Sequence, residues 1–367
     1  MRIGIFAADL THRHGWAHYS LSVIRALRRA KVDMVVLTTH GSPVPDDLHD
    51  LPVYPVLPSV DPMERRMIVR QMALIPTARR LCADCDVIHT FVEPFALIAA
   101  WTAGKRPLVI TGHGSYVCVD HAYPRYLRAA YTRAFRRSAV VCVSRYTART
   151  AERTIPGLRT QVIPNGVDVE RFAQLPPAEK HGNTLLTVGA VKRRKGVLEL
   201  VRGLSDLLHD QPAVRCAIVG SIDMEPAYVE TVRAEITARG LADHVTLYGR
   251  VSDDDLMRWY ARADVFAAPS MHDGWKFEGF GLAALEASAA GLPVIGAADS
   301  GLEDAIDDGV TGYLVPPGDS AAFKARAVEL LKDAALRQRM GEAGRAKARL
   351  MTWDAAAESL AHLYARL

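Results

Sequence analysis

Phe277-Glu-Gly-Phe-Gly-Leu-Ala-Ala-Leu-Glu-Ala-Ser-Ala-Ala-Gly-Leu-Pro-Val-Ile295 decides more about this chain than any other stretch. From Phe280 to Ala290 it has the composition of a buried helix, made of Leu, Ala, Gly and one Ser with a single charge, Glu286. A carboxylate in such a place is expensive unless it has a partner. Gly291-Leu-Pro293 then turns the chain into Val294-Ile295, which reads as a return strand. Glu278 stands just before the helix with Gly279 and Gly281 beside it. Glycines there let the N–H groups of the first helical turn approach an anion closely. A phosphate at the helix start, with a diol hydrogen-bonded to Glu286, satisfies both features.

Working outward, strand-like apolar runs alternate with helical stretches, the pattern of parallel α/β architecture. Arg2–Ala8, Met34–Thr38, Val87–Phe91, Leu108–Thr111 and Val140–Val143 read as strands of a first sheet, with a helix over Trp16–Ala30. Gln161–Asp168 carries turn chemistry, and Ala173–Asn183 looks like a linker. A second set follows: Thr184–Val188, Arg215–Val219, Val245–Tyr248, Val265–Ala268, Val294–Gly296 and Tyr313–Val315. The expectation is two Rossmann-like, doubly wound parallel-sheet domains facing a central cleft.

With 367 residues, 49% hydrophobic and 23% charged, the chain has enough apolar material for two cores and is not disordered. The N-terminus lacks a signal-peptide pattern, and the longest apolar run, around Phe95 to Trp101, is too short to span a bilayer. The expected setting is cytoplasmic, either free or peripheral at the inner face of the membrane. Residues 1–178 carry 23 Lys and Arg against 14 Asp and Glu, while residues 179–367 carry 22 against 27. The first half is therefore the one suited to an anionic partner. Nine of its Arg fall between Pro124 and Arg159, with Glu152 the one acid there. That stretch includes a helix over Tyr126–Arg137 whose apolar residues share one face. The choice lies between docking to anionic lipid head groups and an ordinary solvated face. No nucleic-acid recognition motif accompanies the charge.

Glu278 and Glu286, with Gly279, Phe280, Gly281, Leu282, Leu285, Ala287, Gly291, Pro293 and Val294 around them, resemble the E-x7-E motif of family 4 glycosyltransferases. The resemblance covers nearly the whole chain, through Val143-Ser144, Ile163-Pro-Asn-Gly-Val-Asp168, Leu247-Tyr-Gly-Arg250, Tyr260–Phe266, Pro269-Ser270, Asp308–Val315 and Met351-Thr-Trp-Asp354. It implies a retaining enzyme of GT-B fold whose last helix crosses back to the first domain. The implied division is 1–172 plus 352–367 for an acceptor-binding domain and 183–351 for a nucleotide-sugar domain. The implied donor is a nucleotide-diphosphate sugar, UDP- or GDP-linked, with no metal and no other cofactor, and the acceptor is left open.

The resemblance also assigns roles. Glu286 meets the ribose hydroxyls. Lys195, Arg194 and the N–H groups near Phe280, Gly281 and Leu282 hold the diphosphate. Glu278 contacts the donor sugar. Lys195 and Gly196 match the family's G-R-x4-K-G pattern from Gly189, but Ala190 replaces its Arg, and Arg194 is the natural substitute. His113 stands where the family's His touches the sugar near its reacting face. Gly15 stands where a glycine-rich loop approaches the diphosphate, although Trp16 occupies the place of the usual second Gly. Arg250 and Val251 fall in the base-binding loop.

Other features read more plainly. Ser252-Asp-Asp-Asp255 is a capping box rather than a metal-binding DxD. Cys82-Ala-Asp-Cys85 reads as incidental, Asn165 and Asp168 as turn formers, and His12, His14 and His18 as ordinary loop and helix residues. Two rival functions fit the same fold: a nucleotide-sugar 2-epimerase, and a non-catalytic scaffold that binds nucleotide sugar.

Overall fold

The computed structural model describes residues 1–58, 67–180 and 182–367. The chain forms two compact units, Met1–Gly166 with Trp353–Leu367, and Val167–Thr352. The short helix Val169–Ala173 lies in the second unit, where Phe172 packs edge-on against Tyr260 at 5.3 Å.

Among the described residues the first unit holds a sheet of seven strands: β1 (Arg2–Phe6), β2 (Asp33–Thr39), β3 (Val53–Leu57), β4 (Val87–Thr90), β5 (Leu108–Gly112), β6 (Ala139–Cys142) and β7 (Thr160–Val162). All pairings are parallel, in the order β3-β2-β1-β4-β5-β6-β7. The order reverses between β1 and β4. The C-terminal ends of two strands at such a reversal are the usual ligand position in doubly wound sheets. Strand β1 is buried on both faces, with Ile3, Ile5 and Phe6 at 0% exposure. Helix Gly15–Arg29 buries Ala17, Leu21, Val23, Ile24 and Leu27, and its start is capped where His14 Nδ1 accepts the Ala17 N–H at 3.3 Å.

Helix Trp353–Tyr364 completes this unit by packing against helix Gly15–Arg29. Arg29 pairs with Asp354 at 2.7 Å, and the Tyr364 hydroxyl bonds His89 Nδ1 at 2.6 Å on β4. Three elements of the unit fall outside the sequence expectation. β3 contains Pro55, and β7 is three half-exposed residues within a segment read as turn. Both are edge strands, where Pro is tolerated and alternation is weak. Helix Met67–Leu81 carries an internal Pro76.

Among the described residues the second unit holds six parallel strands: β8 (Thr184–Val188), β9 (Arg215–Val219), β10 (Val245–Gly249), β11 (Val265–Ala268), β12 (Val294–Ala297) and β13 (Gly312–Val315). Their order is β10-β9-β8-β11-β12-β13. Here the reversal falls between β8 and β11, paired at Val265↔Leu185 and Phe266↔Leu186. Loops 189–196 and 269–281 leave the adjacent C-terminal ends of those two strands. Residues more than eighty positions apart in sequence thus meet at one sheet edge.

Candidate functional site

The meeting of those two loops in the second unit is enforced by glycine. Gly196 has φ +65, and a Cβ there would lie 1.7 Å from the Pro269 carbonyl oxygen, so no other residue fits. Backbone closes the contact, with the Met271 N–H donating to the Arg194 carbonyl at 2.8 Å. Arg194 and Lys195, in the turn Arg193–Lys195, are thereby held over Glu278.

Three donors converge on Glu278 Oε2: Lys195 Nζ at 2.6 Å, Arg194 Nη1 at 2.7 Å and Ser270 Oγ at 3.3 Å. Glu278 is buried at 8% exposure. Burial would raise its pKa, but the Arg194 and Lys195 charges outweigh burial and hold it at about 2. One carboxylate against two cations leaves a positive charge, the right sign for a diphosphate.

The helix that follows starts at Leu282, two residues later than its composition suggests. Gly281 explains the difference: its φ of +88 is outside the helical region, and a Cβ there would strike Leu302 Cδ2 at 2.4 Å. Gly301 N–H donates to the Glu278 carbonyl at 2.7 Å, and a Cβ on Gly301 would lie 2.0 Å from the Gly279 carbonyl oxygen. The approach to helix Leu282–Ala290 is thus packed backbone to backbone. The first N–H groups of a helix have no intrahelical acceptor and carry the positive end of its dipole. Phe280 is buried, and with Gly281 and Leu282 it forms this helix start beside the Lys195–Arg194–Glu278 cluster.

Glu286 is half-buried on the same helix, and the Tyr260 O–H donates to its Oε2 at 2.8 Å. Arg250 and Val251 lie between Gly249, at φ +68, and helix Asp253–Arg262. Ser252 caps that helix by accepting the Asp255 N–H at 3.1 Å, as the capping reading required. Tyr260 and Ser270 lie in stretches that carry the family resemblance, but nothing in the sequence assigned them a role at the site. Tyr260 lies in an amphipathic helix, where an aromatic reads as core.

In the first unit, His113 follows β5. Its N–H donates to Glu93 Oε1 at 2.6 Å and its Nε2 bonds the Phe91 carbonyl at 2.7 Å. That carbonyl can only accept, so Nε2 carries the proton and Nδ1 the lone pair. Burial lowers the His113 pKa to about 4, so the ring is neutral near pH 7. The Tyr19 ring packs edge-on against it at 4.4 Å. Behind it, His89 bonds Tyr364 through Nδ1 and Thr111 through Nε2, and burial lowers its pKa to about 3. Gly15 opens the first helix, and nothing lies within 4 Å of where its Cβ would be. His14 is tied to Asp9 at 2.9 Å, while His12 and His18 stack edge-on.

The arginine-rich stretch is partly structural. Arg128 donates to the Tyr123 carbonyl, Arg136 to that of Pro156, and Arg137 to those of Ala100 and Arg106. Arg125 and Arg133 are exposed, as is Tyr126 at 69%. The helix proper runs Arg128–Arg137, preceded by a 3-10 turn over Arg125–Leu127. Cys82 and Cys85 are buried free thiols. Among the described residues no helix is long and apolar enough to cross a membrane.

Two family models match the chain: "glycosyl transferases group 1" over residues 168–347 and "glycosyltransferase family 4" over residues 14–171. A GDP-mannose-dependent alpha-(1-6)-phosphatidylinositol monomannoside mannosyltransferase of Mycolicibacterium smegmatis is 34% identical over 285 residues, 73% of each chain. Two solved structures share the fold. Sucrose-phosphate synthase from Thermosynechococcus elongatus has a TM-score of 0.81 at 23% identity, covering 100% of this chain and 98% of the other. Anabaena HepE in complex with UDP and glucose has a TM-score of 0.77 at 20% identity, covering 99% and 100%.

Proposed function

The chain belongs to glycosyltransferase family 4 and transfers sugar from a nucleotide-sugar donor to an acceptor, and we propose that the second unit binds that donor with the residues gathered around helix Leu282–Ala290. The convergence of Arg194 and Lys195 on Glu278, at the start of that helix, carries the reading. Arg194, Lys195 and the N–H groups near Phe280, Gly281 and Leu282 neutralise the diphosphate as it leaves. Their charges and dipoles are fixed before the reaction, so they stabilise the developing anion without reorganising. Glu286 accepts hydrogen bonds from the ribose hydroxyls, with Tyr260 holding its other face. Arg250 and Val251 line the base, and Gly15 lets backbone approach the diphosphate.

Glu278 contacts the donor sugar, and the two cations keep it ionised and acceptor-only throughout the working pH range. His113, neutral, offers Nδ1 to a sugar hydroxyl. Neither group acts as a nucleophile in this reading, and the anomeric configuration is retained by departure and attack on the same face.

The donor we favour is a GDP-sugar, on the strength of the mycobacterial relative's GDP-mannose dependence. The acceptor is presented at an anionic membrane surface, where Tyr126 and the exposed Arg125 and Arg133 make a basic, amphipathic face. Thermal stabilisation by GDP-mannose, UDP-glucose and ADP-glucose, run with wild type and Glu286→Ala side by side, tests the donor site. A shift with GDP-mannose that the variant loses is expected. Equal shifts in both proteins would remove Glu286 from the site. Flotation with phosphatidylinositol vesicles, against neutral vesicles, tests the membrane face.

A further inference from the structure

Beneath the His113 loop lies a carboxylate that the transfer reading does not use. Glu93 leaves β4 in the short turn Glu93–Phe95 and is fully buried. Its Oε1 accepts the His113 N–H at 2.6 Å. The Gly114 N–H and the Trp16 side chain also favour its charged form. Its Oε2 is buried without a partner at hydrogen-bonding geometry. The next residue after His113 has an unusual backbone, Gly114 with φ +149 and ψ −126, a region closed to residues with side chains.

A buried carboxylate is a costly way to satisfy one amide, since a glutamine oxygen would accept the same hydrogen bond without burying a charge. What glutamine cannot do is accept on both sides. Its NH2 group would put a donor where the carboxylate offers a second acceptor, close to the Gly114 N–H and the Trp16 side chain that favour the charged form. A carboxylate is therefore the group that draws the His113-Gly114 turn and the first helix to one point.

We propose that Glu93 is a positioning residue for sugar transfer: it fixes the His113-Gly114 turn, and through it the direction in which His113 presents Nδ1. This rests on the reading that His113 touches the donor sugar.

The test is a double-mutant cycle on the full chain with Glu93→Gln and His113→Ala. Release of GDP from GDP-mannose is followed, with UDP-glucose run in parallel, and melting temperature is recorded at pH 8. Glu93→Gln should melt at or above wild type, because it removes a buried charge. It should nevertheless turn over at least 10-fold more slowly, with KM changed less than about threefold, and should cost less than about twofold in the His113→Ala background. A merely structural Glu93 predicts the reverse: lower melting temperature and unchanged kcat per folded molecule. That result overturns the proposal, as does a loss that multiplies undiminished onto His113→Ala.

If His113→Ala keeps wild-type kcat, the His113 reading itself has failed. If His113→Ala is slow and Glu93→Gln is not, only the positioning role has failed. Should Glu93→Gln not fold, Trp16→Phe replaces it in the cycle. It removes one donor from the carboxylate without adding another. The same non-additivity with His113→Ala is expected, and full additivity overturns the proposal.

Discussion

Glu278 and Glu93 are both buried glutamates in loops that leave strands flanking a reversal in strand order, yet their surroundings tune them in opposite directions. Glu278 faces two full cations and is held at about 2 despite its burial. Glu93 meets N–H dipoles only, and burial pushes it up to about 7. Dipoles that satisfy hydrogen bonding do not offset the desolvation of a charge, whereas paired cations do. A strongly ionised glutamate suits a site that handles an anionic, hydroxyl-rich ligand. One poised near neutrality suits the anchoring of a turn.

The largest break in this contrast should come from Lys195→Ala. Losing a preorganised cation at a developing phosphate charge lowers turnover about 10²–10³-fold. Steady-state release of nucleoside diphosphate measures it, and a loss under about fivefold would make the cluster structural.

The contrast is sharpened by pH. Glu278 has a depressed pKa, so its contribution to stability is full above 4.5 and is lost as pH falls toward 2. Glu93 has a raised pKa, so the folded state holds its proton longer than the unfolded chain. Its contribution therefore declines as pH rises from 4.5 through about 7. Each amounts to about 3 kcal/mol in order of magnitude. Urea unfolding of Glu278→Gln should lack the acid-side slope below pH 4.5, and Glu93→Gln should lack the decline between 4.5 and 7. Identical slopes in the two variants would erase the comparison.

Glu286→Ala should weaken donor binding by about 1.5–3 kcal/mol, the worth of hydrogen bonds to a charged group. Titration calorimetry with GDP-mannose reads this. Tyr260→Phe should have a smaller effect, about 1 kcal/mol, because Glu286 keeps its place on the helix. A larger effect from Tyr260→Phe than from Glu286→Ala would mean that the tyrosine, not the carboxylate, is the recognition element.

The doubly wound sheets were legible because most of their strands are short apolar runs between turn residues. The elements that escaped are those whose pattern is weakest, β3 with its proline, three-residue β7 and the Pro76-bearing helix. The same limit operated at the site. Lys195, Arg194 and Glu278 stood out as charges in glycine-flanked turns, and the reversal in strand order between β8 and β11 brings them together. Tyr260 did not stand out, because its hydroxyl matters only once the helix packs beside Glu286. Glu93 did not either, since a lone acid beside an apolar run gives no hint of which amides it will meet. The start of helix Leu282–Ala290 was misplaced by two residues for a local reason: composition carries no mark of the positive φ at Gly281.

Helix Trp353–Tyr364 carries a consequence for the order of assembly. Trp353, Leu360, Leu363 and Tyr364 are core residues of the first unit, and Tyr364 anchors His89 in its sheet. Yet they are synthesised after every residue of the second unit. On the ribosome the second unit can therefore finish folding while the first still lacks a wall, although the first was begun earlier. The first unit must wait, with part of its apolar surface uncovered, for Trp353–Leu367.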